Sequence, residues 1–312
     1  MKHILFIGGA GFIGSSIVKQ FCKEDPNISI SVLEPPTASL NRIDGLPIKV
    51  HRGALDNLEL IESIINVDLI DTIVHLVSTI TPGSNFDDYK NEFINVVFPS
   101  IRLMELCSKK DIRFVYFSSG GTIYGNHLNG DVRFKETDSS APISYYGWSK
   151  QMMENSILFM NRTKQLRYLI LRPSNPYGPG QNLNGNQGLI SVALGKFING
   201  NELEIWGDGS SVRDYIYIED LANAVYEVLC NKSISNTTLN IGSGFGYSVN
   251  DVIDIIKETL LIDGKVKYIG SRSSDVSSVV LDCSRLKELI PFKPRELKNG
   301  IKEYIDKLGY GK

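Results

Sequence analysis

Residues Lys2 to Gly14 read KHILFIGGAGFIG. A short apolar run, Ile4 to Ile7, meets Gly8, Gly11 and Gly14 in the spacing G-x-x-G-x-x-G, and an amphipathic segment follows from Gly14 to Lys23. Strand, glycine turn and helix in that order separate a dinucleotide-binding turn from a chance glycine cluster. One glycine permits the tight turn, one lets the backbone approach a pyrophosphate, and one lets helix and strand pack closely. The first helical turn, with Phe12, Ile13 and Gly14, then offers N–H donors to phosphate oxygens. An apolar run this short, broken by glycines, reads neither as a secretory leader nor as a membrane span, which needs roughly 18 residues.

Outward from this turn, short apolar runs alternate with amphipathic segments, the pattern of β-α-β units that build a parallel sheet. Strands are expected at Ile4–Ile7, Ile28–Leu33, Ile48–His51, Thr72–Leu76, Arg113–Ser118 and Tyr168–Arg172, with helices near Gly14–Lys23, Leu58–Ile65, Tyr89–Ser108 and Tyr145–Thr163. The fold class is therefore α/β, a Rossmann-type doubly wound parallel sheet with a smaller, mixed α/β C-terminal substrate domain. After Pro173 the loop SNPYGPGQNLNGNQG marks the departure from the first domain. The expected bounds are 1–176, with 212–245 returning to it, for the cofactor domain, and 177–211 with 246–312 for the substrate domain.

The second strand ends at Glu34, about 20 residues past the last glycine, where a carboxylate accepts hydrogen bonds from the adenosine ribose. A carboxylate there repels a 2′-phosphate, so NAD is favoured over NADP, with Arg42 close enough in sequence for a rearranged loop to admit the phosphorylated form. The 33 Lys and Arg residues balance 35 Asp and Glu with no long run of one sign, which argues against nucleic acid as a partner. Cys22, Cys107, Cys230 and Cys283 are scattered, without metal-ligand spacing, and read as free thiols of a cytoplasmic protein. No metal site is expected.

Tyr146 and Lys150 stand four residues apart at the head of a helical segment, and that spacing puts them on one face. A phenol near pKa 10 is a poor base at neutral pH, and a neighbouring ammonium lowers that pKa. The pair suits proton transfer accompanying hydride transfer at a carbinol carbon. With the glycine turn upstream, Tyr146 and Lys150 become the candidate catalytic residues.

These stretches, together with FSSGGTIYG (Phe117–Gly125), YGWSK (Tyr146–Lys150), LRPSNPYGPGQ (Leu171–Gln181) and WGDGSSVRDYIYIEDLA (Trp206–Ala222), resemble the extended short-chain dehydrogenase/reductases of the nucleotide-sugar epimerase and dehydratase family, of the UDP-glucose 4-epimerase type. The resemblance covers nearly the whole chain. It implies NAD(P) and a sugar linked through a diphosphate to a nucleoside, with cofactor contacts from Leu76, Asn95, Ser118, Tyr146, Lys150 and Pro173. It further implies that Arg213 and Arg272 grip the diphosphate, that Asn175 contacts substrate, and that Asp275 takes the nucleoside ribose. Ala54 stands where relatives carry an acid near the adenine.

One stretch departs from the family. The usual catalytic Ser or Thr falls at Gly120, which has no hydroxyl, and Thr122, two residues on and so on the same face of an extended strand end, is the expected substitute, touching the sugar oxygen. Ser118 and Ser119 are expected to be less well placed. Relatives that eliminate water across C5 and C6 carry acids where this chain has Gly121 and Thr122, which argues against 4,6-dehydration. The leading expectation is an NAD-dependent nucleotide-sugar 4-epimerase of the UDP-hexose type. A dTDP- or GDP-linked 4-keto-6-deoxysugar reductase using NAD(P)H is the alternative, and a non-catalytic cofactor-binding protein is disfavoured by the pair. The family further implies a homodimer through the helices near Tyr89–Ser108 and Tyr145–Thr163.

Overall fold

The computed structural model describes residues 2–126, 133–270 and 276–310. The chain runs β1 (His3–Ile7), α1 (Phe12–Glu24), β2 (Ser29–Glu34), β3 (Lys49–Arg52), α2 (Leu58–Val67), β4 (Thr72–His75) and α3 (Phe86–Glu92). A single π turn (Phe93–Val97) leads into α4 (Phe98–Lys109), β5 (Arg113–Phe117), α5 (Tyr145–Lys164) and β6 (Tyr168–Pro173). Then come β7 (Asn175–Tyr177), α6 (Leu189–Ile198), β8 (Leu203–Trp206), β9 (Val212–Tyr217), α7 (Ile218–Cys230) and β10 (Thr237–Ile241). The remainder is β11 (Gly246–Ser248), α8 (Val249–Leu260), β12 (Val266–Ile269), β13 (Ser278–Val279), α9 (Ser284–Leu289) and α10 (Leu297–Lys307).

The described chain forms two compact units. Unit 1 comprises 1–119, 144–172 and 222–239, so segments 120–143 and 212–221 count with unit 2. Its seven-stranded sheet has the order β10-β6-β5-β4-β1-β2-β3. The neighbouring pairs from β6 through β3 are parallel, with Ile4 of β1 in register with Ile30 of β2 and Thr72 of β4. Strand order reverses between β1 and β4, which makes the carboxyl ends of those strands the ligand-binding crevice of a doubly wound sheet. Helix α1 presents Ile17, Val18 and Phe21 inward at helical spacing, and Phe21 meets Phe6 of β1 edge-on.

One expected helix is divided. Pro99 sits in the first turn of α4 and has no N–H to continue the ladder. The Phe98 N–H instead reaches back five residues to the Phe93 carbonyl, the widened turn of a π-bulge.

Unit 2 is built from shorter pieces: β9 pairs with β7, β11 and β13, while β8 pairs with β12. Its core gathers Ile190, Leu194 and Phe197 of α6, Val252 and Ile256 of α8, and Ile301 and Ile305 of α10. Among the described residues no helix is long and apolar enough to cross a membrane.

Candidate active site

The glycine turn follows directly from the end of β1. Gly8 adopts φ +86°, open to glycine at no steric cost, and its N–H donates to the Leu33 carbonyl at 3.1 Å. A Cβ on Gly14 would stand 2.5 Å from the Gly8 carbonyl oxygen, so only glycine lets the helix pack this close to the turn. A Cβ on Gly11 would meet only that same oxygen, at 3.5 Å. Gly11 is also the N-cap of α1, and no side chain caps the helix there, which leaves first-turn N–H groups available to an anion. Glu34, 5% exposed, closes the far side: its carboxylate accepts from the Ala10 N–H at 2.5 Å. Burial pushes its carboxyl up, and the Ala10 hydrogen bond and the positive charge of Arg52 oppose that rise. Uncapped helix terminus, close glycine packing and acid at the second strand together fit a dinucleotide.

Helix α5 opens with Ser144, whose hydroxyl accepts from the Gly147 N–H at 3.2 Å, a cap that fixes where Tyr146 and Lys150 begin. Lys150 is 4% exposed; its ammonium donates to the Phe117 carbonyl at 3.1 Å and lies 5.3 Å from the centre of the Tyr146 ring and 5.1 Å from that of Tyr116. Four residues on, buried Glu154 forms a two-pronged ion pair with Arg172 of β6, at 2.9 and 2.5 Å, which ties the helix face carrying Lys150 to the sheet. Buried Glu92, in the last turn of α3, accepts from the Ser78 hydroxyl and from the Thr79 N–H and hydroxyl at 2.9, 2.8 and 2.6 Å.

These neighbours set the proton affinities. Burial lowers Lys150 to about 8 against the restoring negative charges of Glu92 and Glu154. Burial pushes Tyr146 up to about 12; a hydrogen bond from Ser119 works the other way, and the charge on Glu92 adds to the rise. The ammonium was expected to bring the phenol down. In the structure desolvation dominates, because Lys150 spends its bond on a backbone carbonyl while a carboxylate also bears on the phenol. His75, fully buried at the end of β4, is held neutral, near pKa 3, by burial and by the Lys150 charge, and its Nε2 meets the Ser100 hydroxyl at 2.8 Å.

Beyond β5 the structure departs from the expected strand alternation. The strand stops at Phe117 and residues 120–122 turn, so two-residue spacing no longer keeps Thr122 on one face. Ser119, expected to be poorly placed, is the residue bonded to Tyr146. The hydroxyl oxygens of Thr122, Ser118 and Ser174 are buried without a partner among the described residues. Pro173 ends β6 and its carbonyl accepts from the Gly120 N–H, while the Leu76 N–H donates to the Ile7 carbonyl at 3.0 Å. Asn95 lies exposed in the π turn and donates to the Asn91 carbonyl.

In unit 2, Asn175 donates to the Asp214 carbonyl at 2.8 Å, and Arg213 donates to the carbonyls of Val212 and Ser277. Between them, Asp214 is 1% exposed and its carboxylate gathers the N–H groups of Ser243, Gly244 and Leu281 and the Ser243 hydroxyl. Arg272 and Asp275 lie outside the described residues. No group of metal-ligating side chains is found among the described residues.

Residues 4–242 match the family model of the NAD dependent epimerase/dehydratase family. The chain belongs to this family. Over 308 residues, 97% of each chain, it is 34% identical to a Methanocaldococcus jannaschii protein provisionally named a UDP-glucose 4-epimerase. It is 29% identical to the dTDP-4-dehydro-6-deoxyglucose reductase of Escherichia coli, across 98% of this chain and 96% of that one. The crystal structure of the Thermotoga maritima UDP-glucose 4-epimerase with UDP-glucose superposes with a TM-score of 0.90 at 28% identity, covering 98% of each chain.

For a member of the epimerase/dehydratase family the cofactor is NAD, and the glycine turn and Glu34 of this chain fit it. Glu92 and Glu154 carry no expectation from the sequence, and Ser119 ranks there below Thr122. Glu154 was within reach of a sequence reading, lying four residues beyond Lys150 on the same helical face. Glu92 ends a charged helical stretch, FDDYKNE, in which one more acid carries no signal, and its partners, Ser78 and Thr79, arrive from a loop.

Proposed function

We propose that this member of the epimerase/dehydratase family is a nucleotide-sugar 4-epimerase that acts on a UDP-hexose through a transient 4-keto sugar. The observation that carries the reading is the pairing of Tyr146 and Lys150 at the head of α5, with the phenol hydrogen-bonded to Ser119. NAD bound at the glycine turn supplies the site that accepts and returns a hydride at C4. Tyr146 removes the C4 hydroxyl proton and gives it back when the sugar is reduced on its other face. Lys150, anchored on the Phe117 carbonyl, keeps a positive charge beside the phenolate, and Glu92 and Glu154 keep that ammonium protonated. Glu34 takes the adenosine ribose, with Leu76, Asn95, Ser118 and Pro173 completing the cofactor site.

On the substrate side, Arg213 and Arg272 take the diphosphate, since a guanidinium fork matches phosphate oxygens at any physiological pH. Asp275 takes the nucleoside ribose, and Asn175 and Thr122 face the sugar. A homodimer through α3–α4 and α5 fits the large side chains exposed on those helices, Phe86, Ile94, Phe98, Trp148 and Phe159. Four free cysteines fit a cytoplasmic enzyme.

The competing 4-keto-6-deoxysugar reductase is favoured by one observation: a phenol pushed up to about 12 stands protonated at neutral pH, ready to donate to a carbonyl oxygen as a hydride arrives. The test separates them. Purified protein incubated with UDP-hexoses and no added cofactor is expected to interconvert C4 epimers. Steady NADH consumption with a dTDP- or GDP-linked 4-keto sugar, and no epimerisation, overturns the assignment.

A further inference from the structure

Glu92 is 2% exposed in the last turn of α3, and its carboxylate accepts three hydrogen bonds: from the Ser78 hydroxyl at 2.9 Å, the Thr79 N–H at 2.8 Å and the Thr79 hydroxyl at 2.6 Å. A carboxylate taken this far from water is tolerated only with its oxygens so satisfied. All three donors belong to the stretch that leaves the carboxyl end of β4, one of the two strands between which the strand order reverses. Between His75 and Ile80 that stretch has little packing of its own: Leu76, Val77 and Ser78 are half-buried and Thr79 is exposed. It nevertheless lies against the glycine turn. The Leu76 N–H donates to the Ile7 carbonyl at 3.0 Å, and a Cβ on Gly8 would come 3.1 Å from Val77 Cγ2.

Helix α3 is a firm support for such a clamp. Asn85 and Asp88 close a capping box at its start, and the Tyr89 ring stacks on that of Trp148 in α5, centroids 4.7 Å apart. We propose that Glu92 is a positioning residue for the cofactor: it clamps Ser78 and Thr79 so that Leu76 and Val77 stand as one wall of the NAD site beside the glycine turn. Releasing the clamp lets this wall leave its place, and the apparent NAD affinity falls in proportion to the fraction of molecules that keep the wall formed. A hydrogen bond to a charged acceptor is worth about tenfold or more in such an equilibrium.

The inference rests on NAD at the glycine turn, and it is read without any sugar, so it stands or falls apart from the epimerase assignment. Glu92 also bears by its charge on Lys150 and Tyr146, and variants of the donors separate the clamp from that charge. NAD affinity by fluorescence titration, thermal midpoint and amide exchange at Thr79 are measured for wild type, Glu92→Gln, Thr79→Val, Thr79→Ser and the double variant Glu92→Gln with Thr79→Val. Glu92→Gln is expected to weaken NAD binding about tenfold and to speed exchange of the Thr79 amide; Thr79→Val weakens it about fivefold, and Thr79→Ser binds as wild type. The double variant should bind no more weakly than Glu92→Gln alone, since both changes cut one contact. An unchanged NAD affinity in Glu92→Gln or Thr79→Val overturns the inference, whatever happens to the thermal midpoint. A double variant whose losses multiply overturns it as well, as does a loss in Thr79→Ser equal to that in Thr79→Val. A wild type that binds no NAD overturns it together with the cofactor site.

Discussion

Unit 1 hangs its candidate chemistry on the ends of parallel strands of four to six residues gathered in one seven-stranded sheet, whereas unit 2 spreads strands of two to six residues over separate four- and two-stranded sheets. In unit 1 a side chain's address follows from its element: Gly8 comes one residue after β1, Glu34 ends β2, and Tyr146 and Lys150 open α5. In unit 2 the address is set by a hub. Asp214 draws in Ser243, Gly244 and Leu281, which lie 29, 30 and 67 residues away in sequence. A periodic support makes a site readable, and a hub makes it depend on contacts that no local pattern announces.

The strongest way to break this contrast is to remove the group that unit 1's periodicity placed. Tyr146→Phe is expected to lower turnover by about 10³-fold, within the range for loss of a positioned acid or base. NAD affinity should stay close to wild type, because the ring is retained and the glycine turn is untouched. Fluorescence titration with NAD and a coupled epimerase assay read the two quantities. A variant that keeps most of its turnover removes the catalytic reading of the pair.

How much was legible follows the same division. The six strands expected in the first half each fall within two residues of those observed; most are buried parallel strands that read as near-continuous apolar runs, while β3, KVHR at the sheet edge, is largely exposed. The expected helix Tyr89–Ser108 starts earlier and contains a π turn at Phe93–Val97, just ahead of Pro99, since the apolar period hides a missing N–H. Strand β10, which completes the sheet beside β6, lies within the span 212–245 expected to return to this domain, though no strand was expected there. At the site, Tyr146 and Lys150 were visible as spacing. Ser119 was not, because the strand ends at Phe117 and the alternation used to rank Ser119 below Thr122 stops there.

A second test targets the hub. Asp214→Ala removes the acceptor of three buried N–H groups and one hydroxyl, and a buried donor left unpaired costs about 1–3 kcal/mol. The variant is expected to lose several kcal/mol, on the order of 3–5, with the early phase of urea unfolding falling in unit 2. Burial raises the Asp214 carboxyl above its ordinary value, opposed first by the Ser243 N–H, so the charged state depends on those donors staying in place. Hydrogen exchange at Ser243, Gly244 and Leu281 localises the effect. Equal protection in variant and wild type would mean that short strands, not the carboxylate, hold this region.

The smallest effect expected sharpens the contrast from inside unit 1, at the sheet edge, where a hub of the same kind is hidden. Asp68 follows α2 and is 6% exposed, and it accepts from the Ser31 hydroxyl at 2.7 Å, the Lys49 ammonium at 2.6 Å and His51 Nε2 at 2.7 Å. Burial pushes its carboxyl up, and these three partners more than offset that, taking it from 3.8 down to about 2. A carboxyl lowered by folding stabilises the native state above its unfolded pKa, and the contribution disappears as pH falls through the folded pKa. The window is therefore pH 4 to 2, and the difference corresponds to about 2 kcal/mol. Asp68→Asn is expected to be less stable than wild type by that amount at neutral pH, and the gap in urea midpoints should close as the pH is taken to about 2. A gap that persists unchanged at the acid end would assign the loss to packing of the amide, and a gap absent at neutral pH would show that Lys49, Ser31 and His51 are neighbours of Asp68 without holding its charge.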